Sequence, residues 1–239
     1  MKGIGGNVRC AMPQSSRAKN RGPWWRSPRS RPVLVAVCVV VLASCASVKV
    51  QRAVPGSITK PISSHYTQED FIYCGGNGCK KPRPVSFSDA QLDPIRQLFH
   101  TPAADATAER DRIAKAIALL EVLAGEQAGT LNDRGGTLLS IFRSGQIDCY
   151  SEASNTTNFL GLMERDGLFR FHRVSMPRMR GPGFTPGGWL IHATAVIEET
   201  TSGQFFVVDS WFFDNGRPAV TAPLEDWLGG WRPQGGARL

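Results

Sequence analysis

Apolar side chains recur at intervals of three and four along residues 105–128, where Ile113, Ala116, Ile117, Leu120 and Leu123 fall on one stripe. That period predicts an amphipathic helix lying on a core. Asp105 or Thr107 can cap its start, and Gly125 and Gly129 weaken its end. A second helical period follows Cys149, with Ala153, Thr156, Phe159, Leu160 and Met163 on one face and Asp166-Gly167 as the stop. Between the two, Asn132-Asp133-Arg134-Gly135-Gly136 reads as a turn. Upstream, Ser88 or Asp89 can begin a short helix through Phe99. The rest of residues 69–104, interrupted by Pro82, Pro84 and Pro94, reads as irregular.

After Gly167 the period drops to two. Leu168, Arg170, His172 and Val174 alternate with Phe169, Phe171 and Arg173, which predicts a strand. Residues 175–188, with three prolines and four glycines, read as a loop. The stretch from Gly187 to Trp211 then reads as a hairpin. On its first strand His192, Thr194 and Val196 face one way, and Ile191, Ala193, Ala195 and Ile197 the other. Thr200-Thr201-Ser202-Gly203 is its turn. The second strand, Gln204 to Phe213, is almost wholly apolar and is therefore expected inside the sheet. Asn215-Gly216 suggests another turn, and Pro223 to Trp231 a short helix with Leu224, Trp227 and Leu228 inward. The expected class is α+β, with helices packed on an antiparallel sheet. A chain of 239 residues, 41% hydrophobic, is long enough for one sizeable core.

Net charge changes the picture only at the N-terminus. Of the 28 lysines and arginines, eight lie within residues 1–44, where there is no acidic side chain; the remaining 20 face 20 Asp and Glu. The body is neutral, so the basic pI gives no ground for a nucleic-acid partner. Residues 1–32 are basic and rich in Gly, Pro and Ser, and an uncharged apolar run from Val33 to Leu42 follows. A positive segment, a short apolar core and small residues make a secretory signal. Leu42-Ala43-Ser44-Cys45 resembles a bacterial lipobox, which implies that Cys45 is lipidated and becomes the mature N-terminus. The alternative is an uncleaved short anchor. The organisation expected is a leader over 1–45, a tether and irregular segment over 46–104, and a folded domain over 105–232.

Export sorts the cysteines. Cys10 and Cys38 leave with the leader and Cys45 takes the lipid. Cys74 and Cys79, in C-G-G-N-G-C, suit a small disulfide loop in an oxidising compartment, with free thiols as the alternative. A zinc site needs two further ligands at similar spacing; His65 and His100 do not supply them. No metal, nucleotide loop or other cofactor is indicated. Cys149 is left unpaired, between Asp148 and Tyr150, at the expected start of a helix. Free N–H groups and the dipole favour a thiolate there and can hold an oxyanion. The plain alternative is a structural cysteine.

Cys149, His192 and Asp209 occur in the order nucleophile, base and orienting acid. Asp209 lies inside an apolar strand, where burial needs a partner, and a protonated His192 is one. Gln146-Ile147-Asp148-Cys149, His192-Ala193-Thr194-Ala195-Val196 and Val207-Val208-Asp209-Ser210-Trp211 together resemble the transglutaminase-like branch of the papain-like cysteine enzymes. The likeness covers about residues 105–230. It departs from many members at Thr194, where they carry an aromatic. It implies Cys149 as nucleophile, His192 as base, Asp209 as orienter, and a helix packed against an antiparallel sheet. Gln146 is a candidate second oxyanion donor. Trp211 can wall a cleft; His172 and Asp214 are fallbacks for base and acid.

Three functions follow as expectations. One is a lipid-anchored thiol enzyme facing the periplasm that cleaves or transfers peptide or isopeptide bonds of an envelope protein or peptide. Another is an envelope binding or scaffolding lipoprotein that keeps the fold without turnover. The last is a structural lipoprotein in which the three residues do not converge.

Overall fold

A computed structural model describes residues 68, 71–137, 144–181 and 191–237. The chain divides into units 1–50 and 51–239, and every described residue belongs to the second. The expected leader and Cys45 lie outside the described residues. The fold is α+β, with helices and two antiparallel sheets of two and four strands.

The first sheet is a hairpin of β1 (Phe71–Gly75) and β2 (Lys81–Val85), in a region expected to be irregular. The prolines misled. Pro82 and Pro84 are two apart, so both lost N–H groups fall on the side away from β1 and no ladder bond is missed. β1 is buried through Phe71, Tyr73 and Cys74, while β2 is mostly exposed.

Three helices follow. α1 (Asp89–Phe99) starts at a reciprocal cap: Ser88 Oγ accepts from the Gln91 N–H, and Gln91 Oε1 accepts from the Ser88 N–H. α2 (Ala106–Ala128) is capped by Asp105, whose carboxylate accepts from the Ala108 N–H at 2.8 Å, and ends at left-handed Gly129. α3 (Cys149–Arg165) is the second expected helix.

The larger sheet runs β3 (His172–Arg180), β4 (His192–Glu199), β5 (Phe205–Asp209) and β6 (Val220–Pro223), all antiparallel and in sequence order. β5 is interior, as its apolar run implied. Strand β3 sits later than the expected Leu168–Val174. The N–H groups of Arg170 and Phe171 bond the Glu109 carboxylate, and Leu168 N–H closes α3 on Met163, so none of the three is free for a ladder. The strand continues past Pro177 through a register shift between Ser175 and Arg178, into what was expected to be loop. β5 ends at Asp209 rather than Phe213, because the chain turns there: Phe213 N–H bonds Ser210 O, and Trp211 O accepts from Gly136 N–H. β6 was not anticipated.

The alternation along β4 and β5 holds. Ala195, Ile197, Phe206 and Val208 join the main core with Phe71, Tyr73, Ile113, Ile117, Leu120, Phe159 and Leu160. Val196, Val207 and Ala222 face the other way, under Leu224 and Trp227 of the short α4 (Leu224–Leu228). α3 thus covers one face of the sheet and α4 the other. Among the described residues, no helix is long and apolar enough to cross a membrane.

Candidate active site

Cys149 is the first residue of α3, and three contacts fix it there. Gly145 turns the chain with φ of 79°, where a Cβ would lie 2.8 Å from Gly129 O. Asp133 Oδ1 accepts from the Ile147 N–H at 2.9 Å. Asp148 caps the helix, its Oδ1 accepting from the Ser151 N–H at 2.9 Å.

The disulfide between Cys74 and Cys79 is formed, and its loop is strapped to the same helix end. Gly78 N–H donates to Asp148 Oδ2 at 2.9 Å and Cys79 N–H to Ser151 Oγ at 3.0 Å. The Ser151 hydroxyl donates to Gly76 O at 2.7 Å. One turn on, Asn155 bonds both the N–H and the carbonyl of Cys74, at 2.6 and 3.1 Å.

His192 and Asp209 are brought together. His192 Nε2 donates to Asp209 Oδ2 at 2.7 Å, and both side chains are almost wholly buried. Because a carboxylate only accepts, Nε2 carries the proton of this bond, and in the neutral ring the lone pair is on Nδ1. Nδ1 is buried and has no hydrogen-bond partner among the described residues. The same Asp209 oxygen accepts from Trp227 Nε1 at 2.9 Å. Two donors offset a desolvation cost of several kcal/mol that an unpaired buried carboxylate would carry. The His192 ring lies among Trp211, Phe212 and Trp227, with centroids 4.6, 5.2 and 5.4 Å away. That aromatic shell excludes water from the pair.

Cys149 is not hydrogen-bonded to His192. Its half-buried side chain packs with Ala153, Ala193 and Met179, on the α3 side of the sheet. The His192 ring shares the α4 side with Trp227. The sulfur reaches the end of β4 beside His192: Sγ donates to Ile191 O at 3.6 Å, and the Ala193 N–H lies near it. Burial pushes the thiol up to about 11; the Ala193 N–H opposes this, and the charges of Asp148 and Asp209 add to it. The helix N-terminus does not outweigh desolvation here.

Gln146 turns away from the sulfur. Its Nε2 donates to Asn132 O at 2.7 Å, and its Oε1 accepts from the Arg134 N–H and Thr137 hydroxyl at 3.0 and 3.1 Å. The Ala193 N–H and the Cys149 N–H, the latter at the helix start, are the donors beside the sulfur. Trp211 is buried over His192 and donates to Thr137 O, so it walls the imidazole rather than an open cleft. His172 has an acid partner that precedes it in sequence: Nδ1 lies 2.9 Å from Glu109 Oε1 and Nε2 3.1 Å from Arg110 Nη1. Asp214 is half-exposed and bonded to the Gly135 N–H and to Arg134, which hold its carboxyl below the usual range.

Three groups of site neighbours carried no clear sequence signal. Trp227 had the periodicity of a core residue and nothing more. Arg180 fell in an expected loop. The third is a buried acid cluster of Glu121, Asp133 and Glu152, contributed by α2, the 132–136 turn and α3. Ser210 donates to Glu152 Oε2 at 2.9 Å and pairs with Thr156 at 3.1 Å. Burial raises all three carboxyls, Glu121 to about 8 and Asp133 to about 6. Among the described residues, no group of His, Cys, Asp and Glu is arranged to hold a metal ion. A cavity of about 320 Å³ is lined by Gly135, Phe212, Phe213, Asp214, Arg217 and residues 235–237, and Cys149 is not on it.

Comparison of the chain with protein-family models, curated proteins and solved structures finds no match.

Proposed function

We propose that this protein is a thiol enzyme of the cell envelope, cleaving or transferring peptide or isopeptide amide bonds of an envelope protein or peptide. The observation that carries this is the buried His192–Asp209 bond, with the second imidazole nitrogen left as an unpaired base. Cys149, at a helix start against the backbone of both neighbours of His192, is the nucleophile of this reading.

In the reaction, Cys149 must first move round the end of β4 into hydrogen-bond reach of His192 Nδ1; its proton then passes to that nitrogen as the sulfur attacks the amide carbon. The Cys149 N–H stabilises the oxyanion. The carbon–nitrogen bond then breaks, the amine leaves with the proton from His192, and a thioester remains. Water releases an acid, or a second amine releases a new amide. Asp209 holds the imidazole tautomer and its developing charge throughout. Anchoring through lipidated Cys45, or through a short N-terminal anchor, places the domain on the periplasmic side of a membrane. Mass spectrometry of the mature N-terminus tests this part; an unmodified terminus upstream of Cys45 removes the lipid.

A second reading, a non-catalytic envelope binding or scaffolding lipoprotein, is favoured by the raised Cys149 thiol and the missing Cys149–His192 bond. One experiment separates the two. Cys149 is alkylated with a small haloacetamide from about pH 4 to about pH 9, with and without His192→Ala, in protein whose disulfide is intact. Labelling that stays fast well below about pH 8.5, and is lost without His192, supports the enzyme. Slow labelling indifferent to His192 supports the binding protein.

A further inference from the structure

The His192–Asp209 pair does not stand alone on the α4 face of the sheet. Arg180 is the cross-strand partner of His192 in the β3–β4 register, so the two side chains share that face. It is 1% exposed, a degree of burial that arginine almost never reaches without an ion pair. Its Nη1 donates to the carbonyls of Trp227 and, at 2.9 Å, Trp231. Its guanidinium carbon lies 4.3 Å from the centre of the Trp227 ring. Trp227 Nε1 in turn donates to the Asp209 oxygen that receives His192.

We propose that Arg180 is a positioning residue for the His192–Asp209 pair, acting through Trp227. This rests on the reading of His192 as a base. The argument is one of need and cost. α4 has five residues and no side-chain N-cap, too few to hold an orientation unaided. Something else must fix its indole. Arg180 does so twice, by stacking on the ring and by tying the carbonyls at the end of α4 to β3. The indole N–H then occupies one lone pair of Asp209 Oδ2 and leaves the other aimed at His192. The cost is visible in the same side chain. Nε and Nη2 of Arg180 are buried without partners among the described residues, and burial pulls its pKa down to about 10, with the Asp209 charge opposing the fall. An apolar residue would fill this space at lower cost if packing were the whole role. Arginine, with a planar fork that stacks and donates at once, is the side chain that does both.

The test is the ring N–H signal of His192 in protein carrying ¹⁵N-labelled histidine, assigned by its loss in His192→Ala. Variants are Arg180→Met, Arg180→Lys and Trp227→Phe, with circular dichroism to establish folding. In the wild type, the Nε2–H proton bonded to Asp209 should resonate far downfield and be protected from exchange. Trp227→Phe keeps the ring but not the donor; Arg180→Lys keeps the charge but cannot both stack and donate to two carbonyls. Each should move that signal upfield or expose it to exchange, with Arg180→Met the most affected. Cys149 alkylation should slow by roughly tenfold to a hundredfold. If Arg180→Met does not fold, Arg180→Lys and Trp227→Phe decide the matter. An unchanged His192 signal in folded Arg180→Lys and Trp227→Phe overturns the proposal. A signal that follows Arg180 while Cys149 labelling ignores His192 keeps the positioning role and removes the catalytic one.

Discussion

Gly78 donates its backbone N–H to Oδ2 of Asp148 at 2.9 Å, joining the disulfide loop to the cap of the helix that begins at Cys149. The other oxygen of that carboxylate caps the helix itself. A loop of the N-terminal hairpin and the candidate nucleophile are therefore held by one side chain.

Replacing Cys74 and Cys79 together by serine should loosen both. Closing so short a loop is worth about 2 kcal/mol in the unfolded chain. The local effect should be larger than that figure suggests, because five bonds join the loop to α3 and its cap. Denaturant unfolding should show the loss, and amide exchange should rise at Gly78 and Ser151. Unchanged exchange at Ser151 would mean that the loop does not hold the helix end.

Asp148→Ala should cost about 1 kcal/mol through the cap alone. It also strips a partner from Gly78. A double-mutant cycle with the serine pair should therefore be non-additive. Additive losses would show that the cap and the loop act separately.

Glu109 accepts from the N–H groups of Arg170, Phe171 and His172 as well as from the His172 ring. Burial alone would raise its carboxyl, but the bonds from His172 and the backbone outweigh it and hold the group below its ordinary value. Glu109→Ala should cost about 3 kcal/mol, since it leaves several buried donors without a partner. His172→Ala should destabilise the protein yet leave Cys149 labelling unchanged in the folded fraction, whereas His192→Ala should change labelling. Loss of labelling in folded His172→Ala would make His172 the base.

The buried carboxyls set an unusual pH dependence. Glu121, Asp133 and Glu152 hold their protons more tightly in the folded state than in the unfolded chain. Stability from these groups therefore falls as pH rises from about 5 to about 8. Glu109, with its lowered pKa, contributes stability that is complete above its ordinary value of 4.5 and is lost as pH falls below it. The maximum should lie near pH 5, with a melting temperature several degrees lower at about pH 8. Glu121→Gln should flatten the alkaline side, being more stable than the wild type only there. A melting temperature that rises from pH 5 to 8 would contradict the burial of this cluster.

Much of the fold was legible because its signals are local. The stripe from Ile113 to Leu123, the helix starts at Ser88 or Asp89 and at Asp105 or Thr107, and the alternation around Val196 and Val207 are each local, and the structure takes Ser88 and Asp105 as the caps. The short spacing of Cys74 and Cys79 is local too. The failures came where a distant group took over the backbone. Glu109 takes the N–H groups that would have started β3 near Leu168. Paired prolines disguised β2, because the side on which a missing N–H falls is a matter of register with β1. β6 is four residues long, and only its neighbour β5 makes it a strand.

For the site, the sequence by itself determined the order of Cys149, His192 and Asp209, their placement at a helix start and on two strands of a hairpin, and the requirement that Asp209 find a partner. The hairpin register then brings His192 and Asp209 together, because alternation keeps both on one face. Tertiary structure alone decided the rest. It set the sulfur on the α3 side and the imidazole on the α4 side, turned Gln146 into the 132–137 turn, and brought Arg180 and Trp227 to the acid. Burial likewise decided the thiol, since desolvation depends on every element packed around a group, whereas the helix N-terminus that favours a thiolate is written in the few residues beside it.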